Sequence, residues 1–519
     1  MSNQNLFATL RAAFPKDLDA VAIETGESEI YSWRNIDQAT ARMANWLDSL
    51  ALPASSRIAV QVEKSTDALM LYLATLRAGY IFVPLNTAYK ATEIEYFLEN
   101  AQPAVVVCSN QNHSWMVQVA RQARVAHLFT LDDDHTGSLL EAAAGQSDSH
   151  EIAPADSSDV AAFVYTSGTT GRSKGAMLTH GNLLSNALVL KNYWGWQPDD
   201  VLIHALPIFH VHGLFVAIHG ALINGSKMIW LNKFDANDVI NKMAAATIFM
   251  GVPTLYVRLL AQPGLDASAV RRMRLFISGS APMLIETFNA WQHCTGHMIV
   301  ERYGMSETIM LSSNPVHESD GKRRGGTVGK PLPGVGMRVV DSAGKEQRPG
   351  VVGGVEVRGP GVFAGYWRMP EKTAEEFTVD GWFKTGDIGA FDALGYLTIV
   401  GRSKDLIISG GYNVYPVEIE SRINEMVGVQ ESAVVGIPHP DFGEVGIALV
   451  TPKVGFELDV NTILSNLKSQ LANFKVPKAC VVMDELPRNA MGKVQKNLLR
   501  EAHKERFTGY KWARSERRA

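Results

Sequence analysis

Cysteine is scarce: Cys108, Cys294 and Cys480 are the only three in 519 residues, and no two form a CxxC pair. That spacing excludes a disulfide scaffold or a cysteine-built zinc site and points to a reducing compartment, the cytoplasm. Long apolar runs are missing too. LMLYLATLRAG is too short and interrupted to cross a bilayer, so no stable membrane insertion is expected. The amino terminus, MSNQNLFATLRAAFPKD, lacks the basic stretch followed by an apolar core that a secretory signal requires. Nor does one sign of charge dominate, since 49 Lys and Arg stand against 53 Asp and Glu, for a net charge of −4. With no basic stripe, a nucleic-acid surface is not expected. Tandem repeats and low-complexity blocks are also absent.

What is present is length and rhythm. A chain of 519 residues is long enough for two or more hydrophobic cores. Compact apolar runs alternate with helix-length amphipathic stretches: YIFVP, PAVVVCS, DVAAFVY, DVLIHAL, ATIFMGVP and MRLFIS all read as strands. Strands separated by helices predict an α/β fold with mostly parallel sheets. From about residue 320, glycine and proline become denser and short strands lie between turns, which predicts an antiparallel subdomain. Beyond GRSKD, the helix-like VEIESRINEM and the strand-like ESAVVGI and GIALVTP suffice for a small α+β domain. The expected division is a large N-terminal domain, residues 1–402, and a C-terminal domain, residues 403–519.

Several strands end in polar or glycine-rich loops, and in parallel sheets such loops converge on one crevice. Following FVY, the stretch TSGTTGRSKG combines the hydroxyls of Thr166, Ser167, Thr169 and Thr170, the unencumbered backbone of Gly168 and Gly171, and the charge of Lys174. Exposed N–H groups, hydroxyls and an ammonium suit a phosphate, although the order matches neither GxxxxGK[ST] nor GxGxxG. LPIFHVHGL places His210 and His212 on one face if the segment is extended. A close third ligand for zinc is lacking; a packed turn and a substrate-pocket histidine both stay open, with His210 the candidate for pocket and catalysis. In ERYGMSE, Tyr303 can stack on a planar ring, Ser306 can hold a phosphate oxygen and Glu307 can bind Mg²⁺. Ser306 and Glu307 equally fit a helix cap. Arg302 is unusual, because a guanidinium on a central strand needs an anionic partner. Downstream, Asp387 in KTGD can accept the hydroxyl hydrogens of a ribose and Arg402 in GRSKD can contribute to the same sugar or to phosphate, while either alone equally fits a surface turn or an ion pair; Lys493 in PRNAMGKVQK lies on a glycine-started loop.

Taken together and in this order, the motifs resemble those of the adenylate-forming superfamily of acyl-CoA synthetases, luciferases and nonribosomal adenylation domains. The resemblance covers almost the whole chain. YTSGTTGRSKG is similar to its phosphate loop, YGMSE to its adenine and magnesium segment, KTGD to its ribose segment, GRSKD to its hinge and PRNAMGKVQK to its catalytic-lysine segment. It implies ATP, Mg²⁺ and coenzyme A as cofactor and co-substrates. A carboxylate is first joined to AMP with release of pyrophosphate, then transferred to the thiol. The same resemblance implies that Lys174 and the loop hydroxyls manage the phosphates, Glu307 holds the metal, Ser306 meets the α-phosphate, and Asp387 and Arg402 clamp the ribose. Lys493 acts in adenylation, Lys404 is the hinge of a mobile C-terminal domain, and Gly410 and Gly411 lie along the thiol route.

Arg302 before YGM and Ser280 in SGSAP depart from many relatives and put a charged fork and a hydroxyl in the acyl pocket. A lone arginine in a fatty-acid tunnel faces a large desolvation cost, which a dicarboxylate removes. ERYGM, FHVHGL and SGSAP together resemble the malonyl-CoA synthetases, which implies malonate as substrate, with Val211 and Met305 bordering its central carbon and methylmalonate as a second candidate. Two alternatives stay open at this level. One is a medium-chain or aromatic acyl-CoA synthetase with Arg302 paired to a protein carboxylate; the other is a carrier-loading adenylation enzyme. Oligomeric state cannot be read from these strings.

Overall fold

Short apolar runs become the central strands. Val105–Cys108 and Leu275–Ser278 are buried at every position, as strands covered on both faces must be. The computed structural model describes residues 3–166, 173–489 and 492–507. The chain forms two compact units: Met1–Met337 with Val357–Phe383, and Arg338–Glu356 with Lys384–Ala519.

The first unit holds two sheets. One has six strands in the order His127–Thr130, Val105–Cys108, Arg57–Gln61, Ile81–Pro84, Val160–Thr166 and Lys174–Thr179. All neighbours are parallel except the last pair, an antiparallel hairpin with Thr166 opposite Lys174. The second has nine strands, with Val300–Tyr303, Leu275–Ser278, Ile248–Gly251, Val201–His204, Lys227–Trp230 and Val21–Thr25 as its parallel centre. Parallel pairs require crossovers, and helices supply them. Thr66–Arg77 begins where the Ser65 hydroxyl accepts from the Ala68 N–H, and it buries nearly every residue. A helix apolar all round belongs in a core. Its Tyr72 packs against Phe82 and hydrogen-bonds His219 at 2.7 Å.

In the second unit, the strand Gly443–Pro452 runs antiparallel to Val429–His439 and parallel to Ala479–Val482. The helices Pro416–Asn424 and Val460–Gln470 bury Ile419, Ile423, Ile463 and Leu467 in one core. Leu499 of Lys496–His503 joins another core with Ala433, Val435 and Ile447. Alternate residues of one strand thus feed two cores, the period-2 pattern of a sheet covered on both sides. A separate four-stranded sheet runs Gly336–Val340, Gly353–Arg358, Phe383–Phe391, Leu397–Arg402, and its last pair is antiparallel.

One expectation is corrected. The segment carrying His210 and His212 is not extended: His212–Ile218 is a π-helix leading into the α-helix His219–Asn224. Gly213 makes this possible, since a Cβ there would lie 2.1 Å from the Pro207 carbonyl oxygen. Among the described residues no helix is long and apolar enough to cross a membrane.

The buried cores predict where truncation is costly. Leu467→Ala, at a fully buried position, is expected to lower stability by about 2–5 kcal/mol. Val454→Ala, at a fully exposed one, should stay within about 0.5 kcal/mol of the parent. Urea unfolding of both variants checks the contrast.

Candidate functional site

The hairpin Val160–Thr166 and Lys174–Thr179 brings Thr166 and Lys174 to its mouth. Ser167, Gly168, Thr169, Thr170 and Gly171 lie outside the described residues. The chain at 364–367 pairs along the free edge of the second hairpin strand, through Trp367 N–H to Gly175 C=O at 2.8 Å and Met177 N–H to Gly365 C=O at 3.0 Å. That pairing delivers Tyr366, which is buried. Its hydroxyl donates to Glu307 Oε1 at 3.1 Å, and Thr166 Oγ1 donates to the same oxygen at 3.2 Å. The Tyr366 ring lies 4.2 Å below Lys174 Nζ, and Glu376 Oε1 is 3.3 Å from that ammonium. Thr166, Lys174 and Glu307 therefore share one site, reached from three chain segments.

Glu307 is positioned by a turn that only glycine permits. A Cβ at Gly304 would lie 1.9 Å from the Ile309 carbonyl oxygen. Around it Tyr303, Met305 and Ser306 are half-buried, and Met305 N–H donates to Thr308 Oγ1 at 3.3 Å. No described group of three or more His, Cys, Asp or Glu side chains gathers for a metal. A single carboxylate flanked by hydroxyls is the donor set that fits Mg²⁺, a hard cation usually bound through one or two carboxylates plus phosphate oxygens.

On the neighbouring strand end, Arg302 follows Glu301 in Val300–Tyr303. Arg302 is 3% exposed, and its Nε and Nη2 have no hydrogen-bond partner. Desolvation lowers its pKa to about 9. The plane rests on Gly279, where a Cβ would come 2.5–2.7 Å from Nη1, Cζ and Nε. The next residue, Ser280, adopts a left-handed φ of 72° and puts its Oγ 3.3 Å from His212 Nδ1. His212 is buried with Nε2 unpartnered. Burial, followed by the charge of Arg302, holds its pKa well below the usual histidine range, so the ring is neutral. His210 is half-buried and accepts from the His212 N–H at Nδ1. Val211, which is buried, leads into the π-helix. His204 donates from Nε2 to the Gly213 carbonyl at 3.0 Å, bracing that helix against the sheet.

The second unit carries the remaining candidates. Asp387 and Arg402 are register partners in adjacent strands and form an ion pair of 2.7 Å. Lys404 lies in the 3₁₀ turn Ser403–Asp405. Gly410 and Gly411, at φ 57° and 84°, turn the chain between Ile407–Ser409 and Tyr412–Val414. Lys493 is exposed, and its carbonyl accepts from the Asn489 N–H at 2.9 Å. Sequence reasoning missed Tyr366, Glu376 and Gly279. Their short-range context, GYW, PEKTAEE and SGS, reads as ordinary turn and helix chemistry.

Residues 10–367 match the AMP-binding enzyme family, and residues 418–493 match the AMP-binding enzyme C-terminal domain. The chain is 33% identical to the malonate–CoA ligase of Arabidopsis thaliana, over 86% of this chain and 78% of that protein. It is 32% identical to a feruloyl-CoA synthase of an Amycolatopsis species, over 93% of this chain and 95% of the relative. Among solved structures, ATP-bound MatB from Rhodopseudomonas palustris superposes with a TM-score of 0.95 at 51% identity, covering 98% of this chain and all of that one.

Glu301 yields a pH prediction. Burial raises its carboxyl pKa from 4.5 to about 8, opposed only by the hydrogen bond from the Gly326 N–H. The folded state therefore holds a proton that the unfolded chain releases. Its stabilising contribution is complete below about 4.5 and is lost as the pH rises through about 8. Glu301→Gln, neutral at every pH, should match the parent at pH ~5 and exceed it in stability at pH ~9. Urea unfolding at the two pH values tests this, and an unchanged difference between the proteins would refute it.

Proposed function

The chain belongs to the AMP-binding enzyme family, and we propose that it joins malonate to coenzyme A in an ATP-dependent, AMP-forming reaction. One carboxylate oxygen of malonate attacks the α-phosphorus of ATP, the bond to the bridging oxygen breaks, and pyrophosphate leaves. The coenzyme A thiolate then attacks the acyl carbon of malonyl-adenylate, and AMP leaves with the electron pair of the broken C–O bond. A free carboxylate is a poor acyl donor; the first step gives it a good leaving group.

The observation that carries the choice of acid is the buried Arg302 guanidinium with two unpartnered donors. Had it been paired with a protein carboxylate, a medium-chain or aromatic acid would fit better. Instead Nε and Nη2 form one edge of the fork, the side that receives a carboxylate through two parallel hydrogen bonds. We assign the non-reacting carboxylate of malonate to that edge, with Ser280, His212 and His210 beside it and Val211 and Met305 bordering the central carbon. Lys174, Thr166 and the loop residues Ser167–Gly171 receive the phosphates, Ser306 the α-phosphate, and Tyr303 the adenine face. Mg²⁺, when bound, offsets phosphate charge during the displacement, and Glu307 is the side chain that would hold it. Asp387 and Arg402 hold the ribose, Gly410 and Gly411 the pantetheine arm, Lys404 acts as the hinge and Lys493 acts in adenylation, as the family resemblance implies. Cys108, Cys294 and Cys480 are free thiols, which supports a cytoplasmic setting.

A panel of malonate, methylmalonate, succinate, acetate and octanoate, with ATP, Mg²⁺ and coenzyme A, should rank malonate first and methylmalonate second by kcat/KM. Succinate must shift its reacting carboxylate, and a displacement of about 1 Å costs on the order of a hundredfold. A preference for octanoate or succinate would overturn the malonate reading. Arg302→Ala should lower malonate kcat/KM by about 10²–10⁴, the equivalent of a broken buried ion pair, with ATP affinity retained. Equal losses in both would point to a general folding defect.

Lys493→Ala should suppress formation of malonyl-adenylate while thioester formation from supplied malonyl-adenylate persists. Single-turnover assays of each half-reaction make the comparison; equal loss in both would remove the assignment of Lys493 to the first step.

A further inference from the structure

The ammonium of Lys174 has an anionic partner within the protein. Glu376 Oε1 lies 3.3 Å away, with side-chain exposures of 12% for the lysine and 27% for the glutamate. Glu376 is the last residue of the helix Pro370–Glu376, whose last turn contains no basic residue. Carboxylates at that end face the negative pole of the helix dipole and are disfavoured there. Lys372 takes Glu375 at 2.6 Å and stays 3.7 Å from Glu376, so the nearer cation to Glu376 is Lys174. The face of Tyr366 lies 4.2 Å from the same ammonium, and its hydroxyl is fastened to Glu307.

We propose that Glu376 is a placeholder for phosphate. It holds Lys174 over the Tyr366 ring while the site is empty, and it competes with the nucleotide and with pyrophosphate for that ammonium. As phosphate enters, the ammonium exchanges one anionic oxygen for another while remaining over the ring, whose π face favours a cation at either position. The displaced carboxylate is exposed enough to be hydrated, so the exchange leaves no buried unpaired charge. Because the competition runs in both directions, the carboxylate also speeds the departure of pyrophosphate. Glu376 is a positioning residue in this scheme and acts only through Lys174. The inference rests on the reading of Lys174 as a phosphate ligand.

Calorimetric titration of the full-length protein with MgATP and with pyrophosphate, malonate omitted, tests it in four forms: parent, Glu376→Gln, Lys174→Ala and the double variant. Glu376→Gln should bind both ligands about two- to fivefold tighter, the factor that a partly exposed ion pair supplies, and should release pyrophosphate more slowly in stopped flow by a similar factor. Lys174→Ala should weaken binding and abolish the gain from Glu376→Gln. Unchanged or weaker binding by Glu376→Gln, with Lys174→Ala still impaired, overturns the placeholder role and leaves the lysine assignment intact. A gain that persists without Lys174 overturns it as well, since Glu376 would then repel phosphate directly. Parent-like affinity in Lys174→Ala overturns the phosphate assignment of the lysine and the inference with it.

Discussion

A guanidinium removed from water with two donors unmade is the constraint around which its surroundings are arranged. Neighbouring groups are chosen so that none of them satisfies Arg302. Glu301, its neighbour in the chain, cannot do so, because successive residues of a strand point to opposite faces; its carboxyl meets the Gly326 N–H instead. His212 is kept neutral by its own burial and by the charge of Arg302, so it adds no second cation. Gly279 lets the backbone approach the guanidinium plane where any side chain would collide. The charge is thus supported by close packing while its hydrogen-bonding edge is left unmade.

The surroundings of Glu307 and Lys174 follow a different logic. Glu307 accepts hydroxyl hydrogen bonds from Thr166 and Tyr366 on a single oxygen, which fixes the orientation of the carboxylate. Lys174 is balanced by Glu376. Tyr366 joins the two, with its ring under the lysine and its hydroxyl on the glutamate. One aromatic side chain therefore touches the cation with its face and the carboxylate with its hydroxyl.

Much of this was legible in the sequence. The apolar quartets VVVC and LFIS read as buried strands because nothing polar interrupts them, and the polar loops after them are where parallel topology gathers function. Thr166, Lys174 and Glu307 meet as their motifs suggested. Less was legible where function depends on long-range pairing. The π-helix at His212–Ile218 inserts an extra residue per turn that no local periodicity announces, and it turns His212 toward Ser280. Tyr366 reaches the site because its segment pairs along the edge of the phosphate-loop hairpin, a partnership between residues almost two hundred positions apart. Glu376 reads as an ordinary solvated helix residue until its lysine partner is in view.

The two ends differ in the way their chemistry requires. Pyrophosphate must leave in every cycle, and on the role proposed for Lys174 a protein carboxylate that can resume its place there favours exchange over tight retention. The acid, by contrast, must be chosen before its activation commits ATP. A hydrophobic pocket discriminates weakly between acids of similar size, whereas a site whose buried donors stay unpaired with the wrong acid rejects it by several orders of magnitude. An internal counterion at Arg302 would erase that penalty, since an acid with no second carboxylate would then leave nothing unsatisfied. On the roles proposed above, selectivity for a dicarboxylate and easy turnover of phosphate thus call for opposite treatments of a cation, unpartnered and buried at Arg302, paired and half-buried at Lys174.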